Sequence, residues 1–132
     1  MSIESTRAVM DQYFGPEHST DALADDVVFT IMGTGEEHHG PEAVGQMLAY
    51  FYSVAFDATA EMKNFIYGEK GATAEFELVG KHIGEFAGIP ATGKEVRIPL
   101  CVTYDVEKSK IKRARVYFEM PVLMQQLGIQ MG

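Results

Sequence analysis

The stretch Arg113-Ala-Arg-Val-Tyr-Phe-Glu119-Met-Pro-Val-Leu-Met-Gln-Gln-Leu127-Gly128 decides the fold, because it predicts a final strand that runs directly into a short helix. Side chains alternate between the two faces of a strand, so one face collects the polar residues Arg113, Arg115, Tyr117 and Glu119. The other face carries Ala114, Val116 and Phe118. If the charged face points inward, Glu119 is a partly buried carboxylate beside an arginine and a phenol. A tuned acid or base is expected in such surroundings.

The composition indicates one globular domain, covering residues 1–132. The chain is 46% hydrophobic and has no low-complexity tract, which is typical of a packed core. It has no apolar run of the roughly 20 residues that a membrane span needs, so we expect no membrane segment. The net charge of −8 argues against a nucleic-acid surface. The polar start of the chain and the lone Cys101, interpreted as a strand residue, favour a reducing, cytoplasmic location.

Hydrophobic periodicity and turn residues predict the order helix, helix, strand, helix, four strands, helix. The predicted elements are helices over 2–14, 17–24, 41–55 and 122–127, and strands over 27–32, 58–67, 72–83, 96–106 and 111–119. Residues 33–40 and 84–94 are predicted loops. This order indicates an α+β fold, in which a curved antiparallel sheet wraps around the long helix as a cone with a central pocket.

Three stretches resemble the SnoaL-like polyketide cyclases (ester cyclases) of the nuclear-transport-factor-two-like (cystatin-like cone) superfamily. The first is His39-Gly-Pro-Glu-Ala-Val44, which opens the long helix. The second, from His82 to Lys94, is similar to the family's histidine and Gly-Ile-Pro-Pro-Thr-Gly-Lys/Arg loop. The third runs from Lys110-Ile111 to Gln126-Leu127-Gly128 and resembles a strand that ends in aspartate before a Gln-Leu-Gly helix end. Glu119 stands at that aspartate position, one methylene longer than the family residue.

The resemblance implies a cofactor-free enzyme in which Glu119 and His82 are catalytic. In the resembling cyclases, the carboxylate removes a proton next to a carbonyl and helps to reprotonate the alkoxide after an intramolecular aldol closure. Such a group needs a raised pKa in an apolar pocket and no metal. The structural alternative is a strand-end glutamate that pairs with Arg115 or Lys112, or that interacts with the N-terminus of the last helix.

Four further residues are candidates for substrate binding. Tyr117 shares the face of Glu119 and is a possible hydrogen-bond donor to an enolate oxygen. Arg115 is a candidate ligand for a substrate carboxylate, or a structural partner of Glu119. His39 and Tyr13 are candidates for lining the pocket. His38 and His39 are adjacent and lack the i, i+4 spacing of a helical ligand pair, so we expect no metal site there.

The sequence therefore predicts a cyclase or isomerase acting on a small apolar, polyketide-like carbonyl compound by carboxylate acid/base catalysis. One alternative is a non-catalytic ligand-binding or dimerisation domain of the same fold. Another is an epoxide hydrolase or ketosteroid-isomerase-like enzyme, although Glu119 lacks the second carboxylate that epoxide opening requires. The face of Ala114, Val116 and Phe118 needs cover, and the resemblance implies a homodimer that pairs there.

Overall fold

The computed structural model of the protein describes residues 2–15 and 20–129. Its elements are α1 (Ile3–Tyr13), a 3₁₀ turn (Thr20–Ala22), β1 (Leu23–Ile31), β2 (Glu36–His39), α2 (Pro41–Ala49), a π-helical segment (Tyr50–Ala55), β3 (Phe56–Tyr67), β4 (Gly71–His82), β5 (Glu95–Glu107), β6 (Lys110–Phe118) and α3 (Met120–Leu127). The α+β fold class is confirmed. Among the described residues, no helix is long and apolar enough to cross a membrane.

The six strands form one mixed sheet in the order β2-β1-β6-β5-β4-β3. All neighbouring strands are antiparallel except β1 and β6, which pair in parallel from Val28 opposite Arg113 to Ile31 opposite Val116. The prediction of a purely antiparallel sheet is therefore wrong at this one pairing. After the β3-β4-β5-β6 meander, the chain comes back beside β1. The strands β1 and β6 are therefore neighbours in the sheet although they are far apart in sequence.

Two predicted elements differ from those in the structure. The predicted loop over 33–40 contains β2, because Glu36–His39 pairs with β1 although its residues are charged or polar. The predicted second helix over 17–24 lies partly outside the described residues. In its described part, Thr20–Ala22 forms a 3₁₀ turn, and Leu23 already belongs to β1. Leu23 is 3% exposed and packs in the core, so tertiary burial overrides its helical propensity.

The predicted long helix changes its winding partway along. It is an α-helix from Pro41 to Ala49 and a π-helix from Tyr50 to Ala55. The wider turn of a π-helix rotates its side chains relative to an α-helix, and such segments are frequent at functional sites. Here it turns three consecutive aromatic residues, Tyr50, Phe51 and Tyr52, towards the interior cavities.

The core lies between the inner face of the sheet and the helices, in two clusters. The larger contains Val9, Met10 and Tyr13 of α1 with inner-face residues such as Ala74 and Val116. The smaller joins the end of the π-helix to α3 through Phe56, Leu78, Phe86, Ile98 and Leu123. The space between these clusters and the helices forms the cavities described next.

Candidate functional site

The larger cavity has a volume of about 730 Å³. It is enclosed by parts of nearly every element around it: β1, the turn after β1, β2, α2, the π-helix, the 84–94 loop, β6 and α3. Its lining is mostly apolar, and its polar side chains are Thr34, Glu36, His38, Gln46 and Tyr50. This combination of an apolar wall with a few polar groups is typical of a small-molecule site.

His38 is the histidine of the cavity, whereas the predicted His39 points away. His38 pairs across the sheet with Phe29, which is 1% exposed, so both side chains lie on the inner face. His39 is exposed, and its Nε2 lies 3.1 Å from Oε1 of Glu37. Nε2 of His38 lies 3.6 Å from Oε1 of Glu36, and both residues line the cavity. An imidazole beside a carboxylate in this arrangement can give and take a proton.

A smaller inner chamber of about 50 Å³ adjoins the larger cavity. Ile31, Met47 and Phe51 line both spaces and form the boundary between them. Among the described residues that line the chamber, the polar side chains are the tyrosines Tyr13, Tyr52 and Tyr104; the others are apolar. The expectation that Tyr13 reaches an interior space therefore agrees with its position, while a role in substrate binding stays a prediction.

The phenols of the chamber are held in their protonated form. Burial raises the pKa of Tyr13 and of Tyr104 well above the ordinary value for a phenol, and burial raises the pKa of Tyr52 to about 12. Tyr13 and Tyr104 are hydrogen bonded to each other, with ring centroids 5.7 Å apart. At neutral pH these side chains are therefore hydrogen-bond donors in an apolar space.

The loop over 84–94 covers one side of the larger cavity through Phe86 and Ala87. The hydroxyl of Tyr50 donates to the carbonyl of Glu85, and Phe86 packs against Phe51 and Phe118 at 5.4 and 5.8 Å between ring centroids. Gly84 makes the close approach possible, because a Cβ there would lie 2.3 Å from the carbonyl oxygen of Val54. The first residues of the loop, Gly84 to Phe86, are thus packed against and hydrogen bonded to the π-helix.

His82 is fully buried and is hydrogen bonded to the other end of the same loop, at Thr92. The backbone N–H of Thr92 donates to its Nδ1 at 3.2 Å, and the Thr92 hydroxyl lies 3.0 Å from the same atom. Since Nδ1 accepts, the proton of a neutral ring is on Nε2, which is buried and has no hydrogen-bond partner among the described residues. His82 packs against Phe56, with ring centroids 5.3 Å apart, and does not line either cavity.

Glu119 does not line either cavity, contrary to the orientation expected from the sequence. It is exposed, precedes α3 as the N-cap residue, and lies in a groove on the outer face of the sheet with Lys63, Glu75, Glu77 and Tyr117. The adjacent residues Phe118, Met120 and Pro121 line the cavity instead. Glu119 and His82 are therefore not brought together.

The charged face of β6 points outward because the alternate face completes the core. Ala114, Val116 and Phe118 pair with Tyr104, Val102 and Leu100 of β5, which continue the inner apolar row. Burying two guanidinium groups in their place would carry a large desolvation cost. The prediction that a homodimer covers the face of Ala114, Val116 and Phe118 is therefore wrong, because helices of the same chain cover it.

The remaining predicted site residues also lie on the outer face. Tyr117 is 44% exposed and lines the outer groove. Arg115 does not pair with Glu119; its two terminal nitrogens donate to Asp105 at 3.0 and 3.1 Å. This bidentate pair raises the pKa of Arg115 further above its usual range. Within the described ranges, no group of three or more histidine, cysteine or acidic side chains is placed to hold a metal ion.

Sequence reasoning missed Tyr104, and it did not separate His38 from His39. Tyr104 lies on the same face of β5 as the buried residues Val102 and Val106. Alternation along the strand therefore places its side chain in the interior if the valines are taken as core residues. His38 and His39 were not separable because β2 was assigned to a loop, and a loop gives no alternation.

Known proteins resemble this chain in sequence and in structure. Over 82 residues the chain is 30% identical to the aklanonic acid methyl ester cyclase DauD of Streptomyces sp. (strain C5), covering 57% of this chain and 50% of the relative. The chain thus spans about half the length of that relative. TsrD from Streptomyces laurentii is structurally similar, with a TM-score of 0.79, 18% identity and coverage of 98% of this chain and 99% of that one. A protein with a ketosteroid isomerase-like fold from Catenulispora acidiphila DSM 44928 has a TM-score of 0.72 at 14% identity, covering 98% of this chain and 96% of that one.

The model of the SnoaL-like polyketide cyclase family matches residues 10–127. The chain therefore belongs to the SnoaL-like polyketide cyclase family. The similarities to solved structures support the same fold, and the resemblance described from the sequence is confirmed.

Proposed function

We propose that this protein is a cofactor-independent cyclase or isomerase that acts on a small apolar carbonyl compound bound in the 730 Å³ cavity. The cavity carries the proposal, since it is large enough for a compound of several rings and offers few polar groups. The name of the relative DauD supports a polyketide-type methyl ester as the class of substrate.

The proposed reaction is an intramolecular aldol closure. A base removes a proton from the carbon next to a carbonyl, and the resulting enolate carbon bonds to a second carbonyl carbon of the same molecule. The oxygen of that second carbonyl becomes an alkoxide and takes up a proton, so the product is an isomer of the substrate. The chemistry requires one group that gives and takes a proton and donors that stabilise the oxyanion.

Two assignments of the proton-transfer group compete. The family resemblance assigns it to Glu119 together with His82. The geometry favours His38 with Glu36, because these titratable side chains line the cavity while Glu119 lies in the outer groove. His39, Tyr117 and Arg115 are retained as predicted binding residues to be tested, but their outward positions give them no support.

Deuterium exchange decides between the two assignments. An aryl β-keto ester is incubated with the protein in D₂O, and mass spectrometry measures deuterium at the carbon between the carbonyls against buffer alone. We expect His38→Gln to lower the protein-dependent exchange by about 100-fold, the usual contribution of a positioned acid or base. Glu119→Gln and the matched outer-groove variant Glu75→Gln should then exchange at the wild-type rate. A loss in Glu119→Gln alone would instead support the assignment from the family.

A non-catalytic ligand-binding domain is the second candidate, and the outward orientation of Glu119 favours it. In that case the keto ester binds, measured by equilibrium dialysis, but exchanges no faster than in buffer. An epoxide hydrolase has less support, since the described cavity lining contains one carboxylate, that of Glu36.

We also propose a homodimer and a cytoplasmic location. The outer face of the sheet is the remaining candidate for pairing, and it exposes Ile66 and Tyr117 to 59% and 44%. Sedimentation velocity tests the pairing: Tyr117→Lys should shift a dimer towards monomer if this face is used. The cytoplasmic location is supported by Cys101 as the single cysteine of the sequence.

A further inference from the structure

The inner chamber lies on the side of the larger cavity that is away from solvent. The larger cavity reaches the surface, because its lining includes the exposed residues Thr34, Tyr50 and Ala87. The described side chains that line the chamber are all buried or partly buried, and Phe29 and Leu78 are only 1% exposed. A molecule that enters the larger cavity from solvent therefore has the chamber at its inner end.

The walls of the chamber favour an apolar guest. They are built by hydrocarbon side chains from the end of α1, from the helix over 41–55 and from the inner face of the sheet, such as Phe14, Phe76 and Val102. The hydroxyls of Tyr13 and Tyr104 are hydrogen bonded to each other, so these residues present mainly their rings. A polar group would lose its water here and find few partners, whereas an apolar group gains free energy from its burial.

The volume of the chamber limits the size of that guest. The chamber measures about 50 Å³. At about 10–15 Å³ for one water-sized group, this is room for a chain of roughly four carbon atoms. A ring system of the size that the larger cavity accepts does not fit, so the chamber can hold one narrow substituent of a larger molecule.

The boundary between the two spaces is suited to the passage of a thin chain. It is formed by Ile31, Met47 and Phe51, which line both spaces. Phe51 is packed against Phe86 and Phe118, with ring centroids 5.4 and 5.9 Å apart, and this holds one part of the boundary in place. Met47 has an unbranched, flexible side chain that adapts to irregular spaces, so it can move aside for a chain at little cost.

We propose that the inner chamber is a subsite for a short, unbranched alkyl chain of the substrate, and that Val102 in its wall helps to set the length of chain accepted. The inference rests on the proposed function, because the carbonyl-bearing part of the molecule must occupy the larger cavity. Each methylene buried in the chamber should strengthen binding about fourfold until the chamber is full. A longer chain has no further apolar space to fill, so additional carbons should add no affinity.

A homologous series of ketones tests the subsite. The probes are 2-acylnaphthalenes with straight alkyl chains from methyl to heptyl, and equilibrium dialysis measures their dissociation constants. In wild-type protein, the affinity should rise about fourfold with each methylene and stop rising at a chain of about four carbons. Val102→Ala enlarges the chamber and should move this limit to a chain about one carbon longer, whereas Val102→Ile should move it to one about one carbon shorter.

Val106 provides the matched control, because it lies on the same face of β5 and is 4% exposed but does not line the chamber. Val106→Ala and Val106→Ile should leave the limit unchanged. A limit that stays the same in both Val102 variants, or an affinity that rises equally at every length, overturns the subsite alone. If wild-type protein binds none of the ketones, the proposed function fails and the subsite with it.

Thermal unfolding of each variant confirms that it is folded. Val102→Ile keeps the core filled and retains a β-branched side chain in the strand, so it carries the test if Val102→Ala does not fold.

Discussion

The two faces of β6 differ in what they contact, and the contrast explains where the site lies. The inner face, through Val116 and Phe118, contributes to the walls of the two cavities. The outer face carries Arg115 and Tyr117, with the outer-groove residue Glu119 at its end. Alternation assigns residues to shared faces but not to the inside or outside of a molecule. A charged face beside an apolar one is, on energetic grounds, the solvent face unless each charge has a buried partner.

The largest expected effect comes from placing a charge on each face in turn. Val116→Asp puts a carboxylate into the core at a position that is 7% exposed, and we expect it to lower the free energy of unfolding by at least about 3 kcal/mol. Tyr117→Asp at the next position, measured at a protein concentration low enough for the chain to be monomeric, should change it by less than about 1 kcal/mol. Urea unfolding followed by circular dichroism measures both. Equal losses would show that both faces are buried.

A smaller effect on the free energy of unfolding is expected from substituting His82 and His39, the two histidines that were predicted from the sequence to be site residues. His82→Ala removes a buried ring and its bonds to Thr92, and should cost about 2–3 kcal/mol and accelerate hydrogen exchange in the loop over 84–94. His39→Ala, at an exposed position, should stay within about 0.5 kcal/mol of wild type. Urea unfolding measures the change in stability, and hydrogen exchange of the amides in the loop over 84–94 is measured on the same variants. If these amides exchange as slowly in His82→Ala as in wild type, then His82 does not hold the loop in place.

The smallest effect concerns the charges of the outer face. Hydrogen bonds from Arg97 and then from Lys63 lower the pKa of Glu77 below its ordinary value of 4.5. A carboxyl whose pKa is lower in the folded state stabilises the fold above the ordinary pKa, and this contribution is lost as the pH falls through the folded-state pKa.

Glu77→Gln should therefore lower the melting temperature slightly at pH 7, and the difference from wild type should narrow between about pH 5 and pH 3. Glu85→Gln serves as the control, since its exposed side chain makes no ion pair within the described residues. A difference that does not change with pH would mean that Glu77 acts through packing rather than charge.

Much of the fold could be predicted from the sequence because the signals are local. The Gly-rich and charged turns between β3 and β4 and between β5 and β6 set the meander, and Pro41 marks the start of α2. The family follows from motifs such as the His82–Lys94 loop. The parallel pairing of β1 with β6 was not predictable, because nothing local to either strand specifies a partner 85 residues away in sequence, as Val28 is from Arg113.

The site was less predictable than the fold for a physical reason. Tyr13 was recognised because a helical stripe identifies its buried side directly. Glu119 was placed inside because its carboxylate matched a motif, and a motif conveys residue identity but no direction. His38 required β2, whose Glu-Glu-His-His sequence carries no hydrophobic alternation; its register is set only by pairing with β1.

The parallel pairing of β1 with β6 also affects how the chain folds during synthesis. Until Lys110–Phe118 has emerged from the ribosome, β1 has only the short β2 as a neighbour, and its other edge stays open. An open strand edge with apolar residues such as Val27 and Phe29 is a site for pairing with other chains. Because β6 covers this edge of β1, a nascent chain stalled before Lys110 should be the species most dependent on chaperones.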